Sequence, residues 1–214
     1  MTDISLDILD EQRQKIFALL SNFRGNALLG GGTALALQIR HRRSFDFDCF
    51  LPKPIPRSLY AQVKKTFGES PMKLVDSADQ LTVQLSALVE VTFLYYWYPP
   101  LYAAIPTQSL ALVDKRDIAS DKAFTLGRRN AWRDYVDFYF LLKDNHTTLS
   151  RIIADGTKRF GNEFSPKLFL EQLCYTEDIH DTSAEFINTQ PTKNGITTFL
   201  EQQVKTYMQD TLEK

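Results

Sequence analysis

The pattern that most constrains this chain is a glycine run, Gly30-Gly31-Gly32, separated by thirteen residues from Asp46-x-Asp48. The run closes a short apolar segment, Ala27-Leu28-Leu29, and opens a second one, Thr33–Ile39. A strand that ends on glycines before a helix lets the backbone approach a phosphate and present N–H groups to it. The two aspartates stand in an apolar run from Phe45 to Leu51. Strand alternation puts both carboxylates on one face and turns Phe47 and Cys49 to the core. Like charges held side by side cost free energy unless something offsets them. A divalent cation, its shell completed by substrate phosphates, is the usual remedy. The pattern therefore points to an enzyme acting on a nucleoside triphosphate. The competing reading is an ordinary glycine turn and a half-exposed strand face. Phe45, Phe47, Phe50 and Leu51 weigh against it, because they predict a covered strand, and covered acids need partners.

Other phosphate and metal signatures are missing. No Gly-x-x-x-x-Gly-Lys follows the strand, and there is no dinucleotide fingerprint. The cysteines, Cys49 and Cys174, and the 3 histidines are dispersed, which excludes a thiolate or imidazole cluster. A reduced, cytoplasmic protein is expected, with no signal peptide at Met1-Thr2-Asp3-Ile4. The longest apolar stretch, Val91–Leu101, is broken by prolines and spans about half a bilayer, so no membrane contact is expected. With 25 basic and 26 acidic residues there is no global positive field, and nucleic acid would need a local patch.

The spacing of apolar residues predicts helices over Asp10–Phe23, Thr33–Ile39 and Arg57–Phe67. It predicts strands at Ala27–Leu29, Phe45–Leu51, Lys73–Val75, Leu81–Leu85 and Leu88–Tyr95, the last two joined by a hairpin around Ser86-Ala87. After Pro99-Pro100 the pattern turns helical: Ser109–Leu126, Trp132–Leu142, Thr147–Ala154, Pro166–Cys174 and Thr197–Gln209. The expected class is α/β (α+β), with a core over residues 1–100 and a helical region over 101–214 completing the cleft.

A second charged block lies in the helical part. Asp117-Ile118-Ala119-Ser120-Asp121-Lys122 runs on into Arg129-Asn130-Ala131-Trp132-Arg133-Asp134-Tyr135-Val136-Asp137. Lys122 and Arg129 share a face if one helix is continuous, and Arg133 and Asp137 stand four apart. Such patterns usually mark a solvated, salt-bridged helix pair. Apolar neighbours such as Ile118, Phe124 and Val136 also suit a cleft wall that holds triphosphate. His41 reads as a turn residue.

Gly31-Gly32-Thr33-Ala34-Leu35-Ala36-Leu37, His41-Arg42-x-Ser44-x-Asp46-x-Asp48, Asp117-Ile118-Ala119-x-x-Lys122 and Arg129-x-x-x-Arg133-Asp134-x-x-Asp137-x-Tyr139-x-Leu141-Leu142 occur in the order and spacing of a known family. Over residues 25–145 the chain resembles the AbiEii/AbiGii toxins of the nucleotidyltransferase-like superfamily, which share a core fold with DNA polymerase beta. The resemblance implies a nucleotidyltransferase fold: a small mixed sheet flanked by helices, with a helical C-terminal part. It implies transfer of a nucleoside monophosphate from an NTP, with Mg2+ or Mn2+, to an RNA (for some relatives the acceptor end of tRNA) or a protein acceptor. It also implies a toxin of a toxin–antitoxin or phage-defence system, with a cognate antitoxin protein.

Carried over residue by residue, Asp46 and Asp48 would bind the metal. Gly31, Gly32 and Thr33 would hold phosphate, helped by Arg43 and Ser44. Lys122 would contact the triphosphate, and Arg129 and Arg133 would support phosphate or RNA. Asp134 or Asp137 matches the later acid of the family. The wider superfamily carries a third metal-binding acid on a later strand, where this chain has Thr92. Glu90 shares that face by parity, one residue pair earlier, and is the candidate further ligand. One metal or two therefore stays open. So do a catalytically degenerate binding module and a phosphotransferase of the same fold.

Overall fold

The computed structural model describes residues 4–68, 71–85, 89–126, 128–129, 131–188 and 190–212. The chain divides into two compact units, residues 1–114 and 115–214.

The first unit is organised by the alternating apolar residues of β2 (Phe47–Leu51) and β5 (Glu90–Tyr95). Phe47, Cys49, Val91 and Phe93 are fully buried, whereas the residues between them are only half-covered. The two strands pair in parallel at the centre of a five-stranded sheet of order β1-β2-β5-β4-β3. β1 (Leu28–Gly30), β4 (Gln80–Gln84) and β3 (Met72–Asp76) add antiparallel neighbours, so the sheet is mixed. The edge strand β3 is exposed along its length, and a register shift between Lys73 and Val75 interrupts it. Such interruptions and charges discourage edge-to-edge pairing.

The helices of this unit are α1 (Glu11–Leu19), α2 (Gly31–Ile39) and α3 (Leu59–Phe67). Asp10 caps α1 by accepting from Arg13 N at 2.9 Å, and a tightened turn, Leu20–Phe23, prolongs it. α2 carries apolar side chains on most of its surface, with Thr33 to Leu37 all buried. Phe23 and Phe93, with ring centroids 4.7 Å apart, anchor the core on the sheet face opposite the aspartates.

The expected helix from Ser109 is shorter than the sequence pattern suggests: it starts at Lys115, residues 109–110 form a bend and 111–114 run past β1 without helix. Leu29 N donates to Ala111 O (2.9 Å) and Val113 N to Leu29 O (2.8 Å), so Leu112 bridges β1 and Ile105. The three-residue β1 lies at the sheet edge, where its backbone groups need partners, and that need overrides the helical spacing. The turn expected at Ser86-Ala87 falls outside the described residues; the antiparallel pairing of β4 with β5 on either side of it is present.

The second unit contains α4 (Lys115–Thr125), α5 (Trp132–Lys143), α6 (Leu149–Phe160), α7 (Pro166–Cys174) and α8 (Lys193–Leu212). Thr148 caps α6, and Ser165 followed by Pro166 starts α7. α5 is buried on nearly all sides, and its Phe138 meets Phe169 of α7 at 5.4 Å.

Candidate active site

Three rungs of the first sheet gather the acids. In the central rung, Gly30 of β1, Asp48 of β2, Thr92 of β5 and Thr82 of β4 stand in register side by side. One position earlier Asp46 precedes β2, and its Oδ1 accepts from Glu90 N at 3.1 Å. Asp46 stands two residues before Asp48, just ahead of β2, and its carboxylate is turned to the Glu90 backbone. One position later on the face of Asp48 lies Phe50.

The glycine turn closes on the same face. Gly31 is the first residue of α2, with φ +64°, in the left-handed region that favours glycine. A Cβ built there would overlap the Asp48 carboxylate oxygen Oδ2. Glycine is therefore required twice over, for its φ and for the approach of an acid to the backbone. The N-terminus of α2 faces Asp48, and the helix dipole offsets part of its charge. A Cβ on Gly32 would lie 2.8 Å from Arg42 Nη2 and 3.4 Å from Ser44 Oγ. Thr33 Oγ1 meets Ser44 Oγ at 2.8 Å and donates to Asp46 O, which ties the helix start to the strand start.

Arg42, which stands in the family motif while Arg43 was the phosphate candidate, is buried. Arg43 is exposed, and its carbonyl accepts from Arg42 Nη1 at 2.9 Å. Counting back by twos from Asp48 gives 46, 44 and 42, the positions that lie together; strand parity extended through the turn was the available signal.

Thr92 stands beside Asp48 in register. Its hydroxyl lies 3.1 Å from that of Thr82, which accepts from Gln80 Nε2 at 2.9 Å. Among the described residues no group of three or more acid, His or Cys side chains forms a metal cage. Two carboxylates with a neutral hydroxyl beside them are an oxygen-only set. Such a set suits magnesium, which takes one or two carboxylates and leaves its other positions to phosphate and water. Cys49, between the acids in sequence, points into the core. Burial, with Asp48 nearby, pushes its thiol well above its ordinary pKa, so it is inert.

The charged block of the second unit forms its own cluster. Lys122 Nζ sits 2.6 Å from Asp134 Oδ1 and 2.7 Å from Asp137 Oδ2, and all three side chains are at most 5% exposed. Arg129 grips Asp134 from the solvent side at 3.0 and 3.2 Å. The sequence thus identified four residues that the fold brings together, although the Lys122 ammonium is already engaged by two carboxylates. Arg133 is exposed; with the Ser183 hydrogen bonds as the main cause, its charge helps hold Asp181 below the usual carboxylate range. A second buried network went unread in the sequence. Arg159 of α6 meets Asp117 O (2.9 Å), Ser120 Oγ (2.7 Å) and Asp121 Oδ1 (2.8 Å). The i, i+4 acids of α4 were its only trace.

The five-stranded mixed sheet flanked by helices is a nucleotidyltransferase-like fold. A Helicobacter pylori protein described provisionally as a nucleotidyltransferase superposes with a TM-score of 0.59 at 17% identity, covering 96% of this chain and 98% of its own. JHP933 from the same organism gives 0.52 at 16%, covering 96% and 100%. The chain belongs to the AbiEii family, described as nucleotidyl transferase AbiEii toxins of type IV toxin–antitoxin systems, whose model matches residues 16–209. It is also 27% identical to the uncharacterised protein aq_aa25 of Aquifex aeolicus (strain VF5), over 94% of this chain and 97% of that one. No helix among the described residues is long and apolar enough to cross a membrane.

Proposed function

We propose that this protein is a metal-dependent nucleotidyltransferase that moves a nucleoside monophosphate from an NTP to an RNA or protein acceptor. It acts as the toxin of a pair with a cognate antitoxin, as the family implies. The observation that carries this reading is the convergence of Asp48 on the bare backbone of Gly31, beside Asp46. A structural turn has no need to bring an acid against a left-handed glycine at a helix start.

Asp46 and Asp48 would hold Mg2+ or Mn2+, which would supply charge neutralisation to the triphosphate when bound. The N–H groups of Gly31, Gly32 and Thr33, at the positive end of α2, face the polyphosphate. Arg42 and Ser44, held over Gly32, flank it. The acceptor oxygen attacks the α-phosphorus, the bond to the bridging oxygen breaks, and pyrophosphate leaves. Lys122, ion-paired with Asp134 and Asp137, fixes them within their own unit; we assign it to positioning.

Purified protein incubated with each labelled NTP, magnesium and total RNA or protein should transfer label. Asp46→Asn keeps an oxygen acceptor for Glu90 N, and it should cut transfer by on the order of 10^3-fold with thermal unfolding little changed. An equally active variant would remove Asp46 from the chemistry. Thr92 in the third-acid position favours one alternative, a module that binds nucleotide without turnover. Calorimetric binding of NTP with magnesium, without label transfer to any acceptor, would establish that reading instead.

A further inference from the structure

Beside Asp48 the same sheet face carries a hydrogen-bond ladder that the transfer chemistry leaves unused. Gln80 Nε2 donates to Thr82 Oγ1 at 2.9 Å, and Thr82 Oγ1 lies 3.1 Å from Thr92 Oγ1. An amide nitrogen only donates, so Thr82 is the acceptor on the first rung. Thr82 is 4% exposed, and the proton of a buried hydroxyl needs an acceptor of its own. Thr92 Oγ1 is within reach, which gives the ladder a direction: Gln80 to Thr82, Thr82 to Thr92. Thr92 is partly exposed and stands in register with Asp48. Its hydroxyl keeps one proton and one lone pair for a ligand.

The chemistry of this face changes from strand to strand. Gly30 leads into the Gly31 turn and the start of α2; beside it come Asp48, Thr92, Thr82 and Val75, in register. The register shift in β3 also turns Met72, opposite Gln84, to the face of Val75, opposite Thr82. A helix start, a carboxylate, hydroxyls and then apolar side chains follow the order of phosphate, cation, sugar and base in a bound nucleotide. On the β5, β4 and β3 side, among the described residues, the face holds one charged side chain, Glu90, two residues before Thr92. An acid there repels phosphate and leaves room for an uncharged oxygen ligand.

We propose that Thr92 is a sugar-selecting residue: its hydroxyl bonds a ribose hydroxyl of the bound NTP, and Thr82 and Gln80 position it. The inference rests on the nucleotidyltransferase reading and deepens it. The ribose is tethered to the α-phosphate, which a cation on Asp48 would hold, and Thr92 stands one strand over, about 4.8 Å away. A ribose hydroxyl both donates and accepts, which matches what the ladder leaves on Thr92. A nucleotide lacking that hydroxyl leaves the Thr92 proton unpaired, and sites built to bond a substrate hydroxyl reject such analogues.

The test is calorimetry on the full chain with magnesium and no acceptor. ATP, GTP, CTP and UTP are titrated first, and the one that binds is compared with its 2′-deoxy and 3′-deoxy forms. Wild type should bind one deoxy form about two- to tenfold more weakly than the NTP. Thr92→Val should weaken the NTP to that level and leave that deoxy form unchanged; Thr92→Ser should keep the preference. Thr82→Val, which removes the support of the Thr92 hydroxyl, should reduce it. Thr82→Val combined with Thr92→Val strands no buried hydroxyl, so it preserves the fold where a single change does not, and it should lack the preference. Equal binding of the NTP and both deoxy forms by wild type overturns the assignment. A Thr92→Val loss shared equally by all three ligands puts the hydroxyl on cation or phosphate and overturns it too, as does a preference that survives in the paired variant. Full preference in Thr82→Val overturns the positioning role. Failure of wild type to bind any of the four NTPs overturns the nucleotidyltransferase reading itself, whereas binding without a sugar preference overturns this inference alone.

Discussion

The two units of this chain each hold a pair of aspartates, and they treat them differently. Asp46 and Asp48 are half-exposed; Asp46 accepts from Glu90 N, and Asp48 is set against the backbone of Gly31. Asp134 and Asp137 are buried against Lys122, with Arg129 closing the outer side. In the second cluster Lys122 and Arg129 meet two acids; in the first, the start of α2 and the Glu90 N–H meet the acids. Carboxylates that keep access to water retain ligand positions for a cation and its phosphates. Carboxylates wrapped around an ammonium spend their lone pairs on holding helices together. The contrast separates the chemistry from its scaffold more cleanly than the residue types do.

The strongest way to break the contrast is Lys122→Met. If the cluster is scaffold, this change leaves two buried carboxylates facing each other and should destabilise the protein by about 3–5 kcal/mol. Chemical denaturation would report it as a lower midpoint at unchanged slope. A variant that folds with wild-type stability but transfers no label would move Lys122 from scaffold into the chemistry and dissolve the distinction.

How far the sequence announced this can be judged from particular residues. The Gly31 turn, the alternation of β2 and the strand–helix order were legible, because period-two alternation and glycine punctuation are local signals. Asp134 and Asp137, which meet Lys122, were legible with Arg129 as one charged group within nine residues on and just before α5, although i, i+4 spacing set Asp137 against Arg133. Their closure into a balanced network was not, because it depends on α4 meeting α5. Arg42 and Arg43 both stood in a basic stretch open to triphosphate: charge composition cannot tell which of two adjacent arginines turns inward. The non-helical segment 109–114 was misread as helix, since what decides it is an unpaired edge strand some eighty residues earlier in the chain. Arg159 lies about forty residues from its α4 partners, beyond any window in which periodicity speaks.

Gly31→Ala sharpens the comparison from the other side. At φ +64° a methyl group is strained, and the new Cβ must displace the Asp48 carboxylate. A cost of about 1–3 kcal/mol is expected from a forced left-handed conformation and local repacking. Transfer should fall by more than stability loss explains, because Asp48 is pushed from its place while Lys122 and its acids stay intact. Gly68→Ala is the control: its φ is +83°, but nothing lies within 4 Å, so it should show strain without loss of turnover. Equal activity losses in the two variants would detach Gly31 from Asp48.

The smallest expected effect probes the second unit alone. The Tyr135 hydroxyl points at Gln172 O (2.9 Å) and Tyr175 O (2.8 Å), joining α5 to the end of α7. Burial, with help from Asp178 and Asp134, pushes its phenol up to about 12. An unfolded tyrosine loses its proton near pH 10. Between pH 10 and 12 the folded state therefore binds more protons than the unfolded one, and stability falls as pH rises through that window. The contribution is fully present below pH 10. Tyr135→Phe should lose about 1 kcal/mol at neutral pH through the missing hydrogen bond, and it should not show this share of the alkaline decline. The gap between wild type and variant, measured by denaturation at several pH values, should narrow from pH 10 upward. A gap that widened there would mean that the tyrosinate is favoured in the folded state, and the cluster around Asp134 would then carry more positive charge than Lys122 and Arg129 supply.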